Sequence, residues 1–385
     1  MAIEPIHDAT AHEPSMHGES AGLPSATLAP LGWDAGWTVA FEPFAAEGHR
    51  PARVVAVHRE TSVVRNAHGD RQATVSGSFR YAALGPADFP TVGDWVAIDG
   101  SGVIAAVVPR RTSFSRMATD ASRRGVRADD AQVMAANIDL ALLVAGLDND
   151  FNLRRIERYL AVAWSSGIDP VVVLNKSDVA DDVDGRLIAV EAVAPGIPAI
   201  PLSARTGAGL DELRQRLRPG TTAAILGSSG VGKSTLVNAL LGEERQATGE
   251  VREGDQRGRH TTTHRELFEL PGGALLVDTP GIRALEVIGA DDGIDVAFDD
   301  VASIAADCRF SDCRHEGEPG CAVRAALDDG RLSSERLASH RKLERELAHV
   351  ARQGDPLARA EHRRRWRVIQ KSVGEHMQRK YGGER

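Results

Sequence analysis

Gly227-Ser228-Ser229-Gly230-Val231-Gly232-Lys233-Ser234 satisfies G-x-x-x-x-G-K-[ST], the spacing that lets backbone N–H groups cradle a phosphate. The apolar run Ala223-Ala224-Ile225-Leu226 precedes it and the helix-like Thr235-Leu236-Val237-Asn238-Ala239-Leu240 follows, the strand, loop and helix context that this chemistry needs. In that frame Lys233 bridges β- and γ-phosphates, the Ser234 hydroxyl ligates Mg2+, and the helix N-terminus at Thr235 adds partial positive charge. A glycine-rich turn that matches by chance is the alternative.

A phosphate loop does not choose a base. Asn175-Lys176-Ser177-Asp178 supplies a reader, at the end of the unbroken apolar run Pro170-Val171-Val172-Val173-Leu174. The Asp178 carboxylate accepts from N1–H and the 2-amino group of guanine; adenine offers neither donor. Lys176 is expected along the base and Asn175 is expected to tie this loop to the phosphate loop. Ser203-Ala204, after Ala199-Ile200-Pro201-Leu202, has the form of a loop whose backbone N–H contacts guanine O6. Alone, the tetrapeptide could be an ordinary strand-to-helix turn.

Asp278-Thr279-Pro280-Gly281 ends the strand-like Ala274-Leu275-Leu276-Val277, which predicts Asp278 on the Mg2+ through water and the Gly281 N–H on the γ-phosphate. Within His260-Thr261-Thr262-Thr263, Thr262 is the residue expected to close over Mg2+, and the polar stretch 243–259 reads as a switch. The position after Gly281, where many GTPases carry Gln to orient water, is Ile282. Slow intrinsic hydrolysis is therefore expected, and His260 is the nearest titratable candidate for the water. A structural His beside a switch threonine is the alternative. The candidate catalytic set is Lys233, His260 and Thr262.

The elements that position these groups come in an inverted order. The base reader precedes the phosphate loop, and the helix-like segment 210–217 runs through Pro219-Gly220 into the phosphate-loop strand. The expected fold is an α/β P-loop domain, doubly wound but circularly permuted, with the chain break moved to just after Gly281. The C-terminal region is then attached directly to that switch.

This C-terminal region contains every cysteine of the chain. Cys308, Cys313, His315 and Cys321 are spaced C-x4-C-x-H-x5-C, three thiols and an imidazole suited to one closed, structural Zn2+ site. A disulfide with one spare Cys is the competing reading. Two helices are expected beyond it, 333–353 and 356 to about 370.

Residues 331–385 carry 15 Lys or Arg against 7 Asp or Glu, whereas the whole chain of 385 residues is −8. The densest part, Arg363-Arg364-Arg365-Trp366-Arg367, suits RNA phosphates with aromatic stacking, or is a solvated helix face. In the N-terminal third, segments 53–57, 71–75, 94–98 and 102–108 predict a small β-barrel, either an OB-fold that binds RNA or an SH3-like module that does not. Arg110, Arg111, Arg116, Arg123, Arg124 and Arg127 make the adjoining connector basic.

The order N-K-x-D, S-A, G-S-S-G-V-G-K-S, H-T-T-T, D-T-P-G and C-x4-C-x-H-x5-C resembles the ribosome small-subunit-dependent GTPase A (RsgA) family. Pro90-Thr-Val-Gly93-Asp94-Trp95-Val96, Phe114-Ser115-Arg116 and Phe151-Asn152-Leu153-Arg154-Arg155-Ile156-Glu157-Arg158 resemble that family as well. The resemblance runs from about residue 33 to the C-terminus. It implies a multidomain chain: an RNA-binding OB-fold at 33–112, a permuted GTPase domain at 131–290 and an α-helical zinc-binding domain at 291–385, with the basic linker at 113–130 between the first two. Residues 1–32 fall outside the resemblance and, being rich in Ala, His, Glu and Pro, are expected to form a disordered tail. It also implies binding to the small (30S) subunit and its 16S rRNA near the decoding region, subunit-stimulated hydrolysis, late maturation and release of other assembly factors.

No uninterrupted apolar stretch approaches the ~18 residues of a membrane span, and no basic-then-apolar leader opens the chain, so a soluble cytoplasmic monomer is expected. Two functions remain open: a GTPase released from the subunit by hydrolysis, and a nucleotide-locked zinc and OB-fold rRNA-binding module in which turnover is incidental. Ile282 keeps the second alive, while a DNA-binding ATPase conflicts with Asp178.

Overall fold

Alternating apolar residues in the first third close into a barrel. The computed structural model describes residues 25–58, 61–117, 131–243, 265–278, 294 and 296–354. In it strands β1 (Arg50–Val57), β2 (Ser62–Asn66), β3 (Gly69–Val75), β4 (Trp95–Ile98) and β5 (Val103–Val107) pair in the order β1-β2-β3-β5-β4, with β4 returning to β1. β3 and β5 run parallel and the other pairs antiparallel, the closed OB-fold barrel. Ala52, Val54, Val64, Ala73, Val96, Ile98 and Ile104 fill it. β2 escaped the sequence reading because Ser62-Val-Val-Arg-Asn lacks a sustained alternation.

The described residues begin at Ser25, inside the tail expected at 1–32. Helix α1 (Ser25–Leu28) leads through a 3-10 turn into α2 (Ala35–Ala46), capped by Asp34, whose carboxylate accepts from Trp37 N at 2.9 Å. Leu28, Leu31, Trp33, Trp37 and Phe41 bury themselves with Trp95 and Val108 over the barrel, so the apolar surface that orders this segment is aromatic and distant in sequence.

The expected basic linker also begins as structure. β6 (Ser113–Met117) pairs with β7 (Ala131–Ala136), and Phe114 is fully buried in the main core. Arg110 is bound to the buried carboxylate of Asp94 at 2.7 Å, and Arg111 to Asp34 at 2.6 Å, so neither is a spare cation for RNA. Arg123, Arg124 and Arg127 lie outside the described residues.

Next comes the α/β domain. β8 (Leu140–Gly146), β9 (Asp169–Asn175), β10 (Ala199–Pro201), β11 (Thr222–Leu226) and β13 (Leu275–Asp278) are parallel in the order β10-β9-β8-β11-β13, with β12 (Arg265–Glu269) antiparallel at the edge. Side chains alternate between two cores. Leu143, Val172, Leu174, Ala224 and Val277 face helix α4 (Leu153–Ser165); Leu142, Val144, Val171, Val173, Ile225 and Leu276 face α6 (Leu210–Arg216) and α7 (Lys233–Leu241). Both faces are covered, which explains the unbroken apolar runs. Helix α5 (Val183–Val193) lies between β9 and β10 in sequence.

β1 also pairs with β12, Ala56 opposite Glu266 and Val57 opposite Arg265, so barrel and α/β sheet are hydrogen-bonded into one sheet of eleven strands. Arg53, only 2 % exposed, donates to Leu31 O, to Gly93 O at 3.2 Å and to Asn137 O at 3.1 Å, binding the N-terminal segment, the barrel and the α/β domain together. Burial pushes its pKa down to about 10, still high enough to keep the charge that three carbonyls satisfy.

Three C-terminal helices, α8 (Asp299–Ala306), α9 (Ala322–Asp328) and α10 (Ser334–Gly354), pack on the α4 side of the sheet, where Phe298, Val301, Val323 and Leu337 join the core of Ile156 and Leu160. α10 matches the first helix expected there; the second, from Pro356, lies outside the described residues, as does the Arg363–Arg367 run. Among the described residues no helix is long and apolar enough to cross a membrane.

Candidate functional site

The parallel register brings the motifs to one edge of the sheet. Gly146 pairs with Asn175, Leu174 with Pro201, and Ala224 with Val277, so Asn175, Ser203, Gly227 and Asp278 all lie at or just beyond the carboxyl ends of adjacent strands. Open α/β sheets bind ligands at this edge.

Backbone shape makes the phosphate loop. Gly230 and Gly232 hold φ of +84° and +91°, and a Cβ on Gly232 would stand 2.4 Å from Asn175 Nδ2. Val231, 1 % exposed, anchors the loop from beneath. Lys233 opens α7 and its ammonium folds back to donate to Gly227 O at 2.8 Å and to Ser228 O. Ser229, Ser234 and Thr235 complete the loop and the first helical turn. The geometry suits an anion met by N–H groups, a helix N-terminus and one mobile ammonium.

Asn175 locks the base-reading loop to this frame. Only 2 % exposed, it donates from Nδ2 to Val231 O at 2.8 Å and accepts at Oδ1 from Ala204 N at 2.9 Å. A single buried amide thus joins three motifs, because both of its polar ends must be satisfied once it is out of water. Lys176 adopts φ +68° and reaches Asp148 at 2.5 Å, while Ser177 begins a 3-10 turn containing Asp178. The Ser203 hydroxyl and the Arg205 guanidinium hold the Asp178 carboxyl below its usual range, the ionised acceptor that guanine donors require. Arg205, 72 % exposed, pairs with that carboxylate, whose own side chain is 15 % exposed, so it is the arginine that can swing into solvent when another donor arrives.

Three residues here, Asp148, Asp150 and Arg205, escaped the sequence reading, and Arg155 was noted only within the segment 151–158, without a role of its own. Asp148 and Asp150, in the β8-α4 loop, and Arg155, in α4, reach the motif residues because β8 lies between β9 and β11, and Arg205 does so because β10 lies beside β9. His260, Thr262 and Gly281 lie outside the described residues.

The second cluster sits on the C-terminal helices. Cys308 lies just past α8, Cys313 and His315 lie in the loop beyond, and Cys321 caps α9 by accepting from Arg324 N at 3.4 Å. Their ligand atoms all lie within 4.8 Å of one another. His315 Nδ1 is 3.6 Å from Cys308 Sγ and 3.5 Å from Cys321 Sγ. Zinc bonds of about 2.3 Å to sulfur and 2.0 Å to nitrogen give a tetrahedral S···N edge of about 3.5 Å, so the donor set fits that metal. None of the three cysteines is in a disulfide. Burial opposes ionisation of Cys308, but the N–H groups of Val323 and Ala322 at the start of α9 lower its pKa overall; burial and the neighbouring thiols push Cys313 up to about 11. Arg341 pins the loop by donating to His315 O at 2.8 Å.

Known proteins resemble this chain in sequence and fold. The RsgA GTPase family profile matches residues 107–288. A small ribosomal subunit biogenesis GTPase RsgA of Opitutus terrae is 51 % identical over 358 residues, covering 89 % of this chain and 96 % of its own. Among solved structures, YjeQ from Thermotoga maritima superposes with a TM-score of 0.57 at 28 % identity over 78 % of this chain and 99 % of its own. YloQ, described as a circularly permuted GTPase, superposes with 0.54 at 22 % identity over 78 % and 96 %. With the permuted motif order carried by a sheet that brings every described motif to one edge, the chain belongs to the RsgA GTPase family.

Proposed function

We propose that this chain hydrolyses GTP in a cycle coupled to late maturation of the small ribosomal subunit in the cytoplasm. The observation that carries it is Asn175, whose two hydrogen bonds hold base reader and phosphate loop in one rigid frame. Asp178 selects guanine, Ser203 and Ala204 line the base, and the loop 227–234 binds the phosphates with Lys233 spanning β and γ. Ser234, Thr262 and Asp278 would hold Mg2+, which when bound supplies positive charge to the β- and γ-oxygens. Thr262 and Gly281 close around the γ-phosphate, and His260 orients the attacking water, the task for which Ile282 is unfit. Cys308, Cys313, His315 and Cys321 hold one structural Zn2+. The barrel and the basic C-terminal residues are the surfaces we assign to 16S rRNA, with the chain acting as a monomer, and release of other assembly factors accompanies hydrolysis.

The test is GTP turnover by the purified protein alone and with isolated small subunits, large subunits or bare RNA. Stimulation by small subunits only is the expected result. Ile282 favours one competing reading, a nucleotide-locked rRNA-binding module, and turnover that none of these additions raises would establish it instead.

A further inference from the structure

The β8-α4 loop and the first turn of α4 hold the phosphate loop through a triangle of side chains, Asp150, Arg155 and Ser228. Arg155 Nη1 donates to Asp150 Oδ2 at 2.6 Å and to Ser228 Oγ at 2.8 Å, and Ser228 Oγ donates to the same Asp150 Oδ2 at 2.7 Å. The triangle is closed, each side chain bonded to the other two. Ser228 is also the residue whose carbonyl accepts from the Lys233 ammonium. On its other side Asp150 N donates to Asp148 Oδ1 at 3.1 Å, and Asp148 Oδ2 receives Lys176 at 2.5 Å. A continuous set of bonds thus runs from the base-reading lysine to the phosphate-reading lysine.

The Arg155 backbone is held firmly, while the side chains of Arg155 and Asp150 are 33 % and 40 % exposed. Arg155 lies in the first turn of α4, where Asn152 Oδ1 caps its N–H at 3.2 Å, and Ile156, next along, is 1 % exposed in the core. A cation anchored to a helix start therefore sets the side chain, and with it the backbone, of Ser228.

We propose that Arg155, paired with Asp150, is a positioning residue for GTP hydrolysis: it fixes Ser228 and thereby the place from which Lys233 reaches the nucleotide. This rests on reading residues 227–234 as the phosphate loop. During hydrolysis negative charge grows on the β-γ bridging oxygen as its bond to the γ-phosphorus breaks, so Lys233 acts more strongly in the transition state than on bound GTP or GDP. Misplacing it should lower kcat more than affinity.

Arg155→Ala is expected to lower kcat about ten-fold, with the KM for GTP and the Kd for GDP within about three-fold of wild type. Ser228→Ala should give a similar loss, and the double variant should be no worse than the poorer single variant, because both substitutions cut one link. Arg155→Lys should restore most of the rate, since both bonds leave from a single nitrogen and an ammonium has donors enough for both. Unchanged kcat in Arg155→Ala, multiplying losses in the double variant, or equal losses of kcat and GDP affinity would each overturn the proposal. Lys233→Ala separates the two readings: wild-type GTP binding and turnover there removes the phosphate loop itself, whereas a dead Lys233→Ala beside a wild-type Arg155→Ala removes only the role of Arg155.

Discussion

Replacing Arg336 by Ala would remove the cation that joins the C-terminal helices to α4. Its guanidinium donates to Glu157 Oε1 at 2.6 Å, to Ala297 O at 2.7 Å and to Asp300 at 2.9 and 3.0 Å, and lies 4.2 Å from the Phe298 ring centre. The partners are not equal. The Asp300 side chain is 48 % exposed, so losing that pair costs at most about 1 kcal/mol. The Glu157 side chain is 4 % exposed and keeps only the Ser339 hydroxyl once Arg336 is gone, leaving a buried charge mostly uncompensated. Breaking such a pair costs about 3–5 kcal/mol, and this dominates the total. Hydrogen exchange by mass spectrometry reads the effect where it arises: amides of α10 should exchange faster by roughly two to four orders of magnitude. Replacing both partners, Arg336→Met with Glu157→Leu, should recover most of the loss, because the charge needing compensation has gone. An Arg336→Ala variant that loses less than about 1 kcal/mol would refute the reasoning, since the pair would then be worth no more than one in solvent.

Asp178→Asn should weaken GTP and GDP binding by roughly 10- to 100-fold and narrow the preference over ATP, because an amide presents a donor where guanine also donates; equilibrium titration with both bases checks this, and unchanged selectivity would sink the guanine assignment. Gly232→Ala forces a Cβ to 2.4 Å from Asn175 Nδ2 at φ +91°, so GDP binding should fall at least about ten-fold; wild-type affinity by calorimetry would contradict the frame built around Asn175. Zinc uptake should release protons at neutral pH, because Cys313 with a pKa of about 11 holds its proton until the metal displaces it. Zinc affinity should therefore fall as pH is lowered, and calorimetry in buffers of different ionisation enthalpy that finds no released proton would remove Cys313 as a ligand.

Features that depend on local spacing were legible. The phosphate loop and the Cys and His spacing demand residue types at fixed short intervals, and α10 matches the helix expected over 333–353. Features set by partners far away in sequence were hidden. Trp33, Trp37 and Phe41 order a segment taken to lie at a tail's edge because Trp95 waits for them, and Glu157 finds Arg336 179 residues on. Arg155 stood within the segment 151–158 with no role of its own. Only the placement of β8 beside β11 turns it toward Ser228.

Permutation adds a mechanical consequence. Pro219-Gly220 closes what would otherwise be chain ends, and Gly220 N donates to Gly273 O at 2.8 Å, tying that junction to the hairpin before β13. The C-terminal helices are then attached twice: covalently through the chain leaving β13 after Asp278, and non-covalently through Glu157 on α4. Those two attachments lead to opposite sides of the phosphate-loop strand, because β11 lies between β8 and β13. A shift of the C-terminal helices against α4 would be felt at Glu157, in the helix whose first turn carries Arg155. Arg155 stands where α4 delivers it.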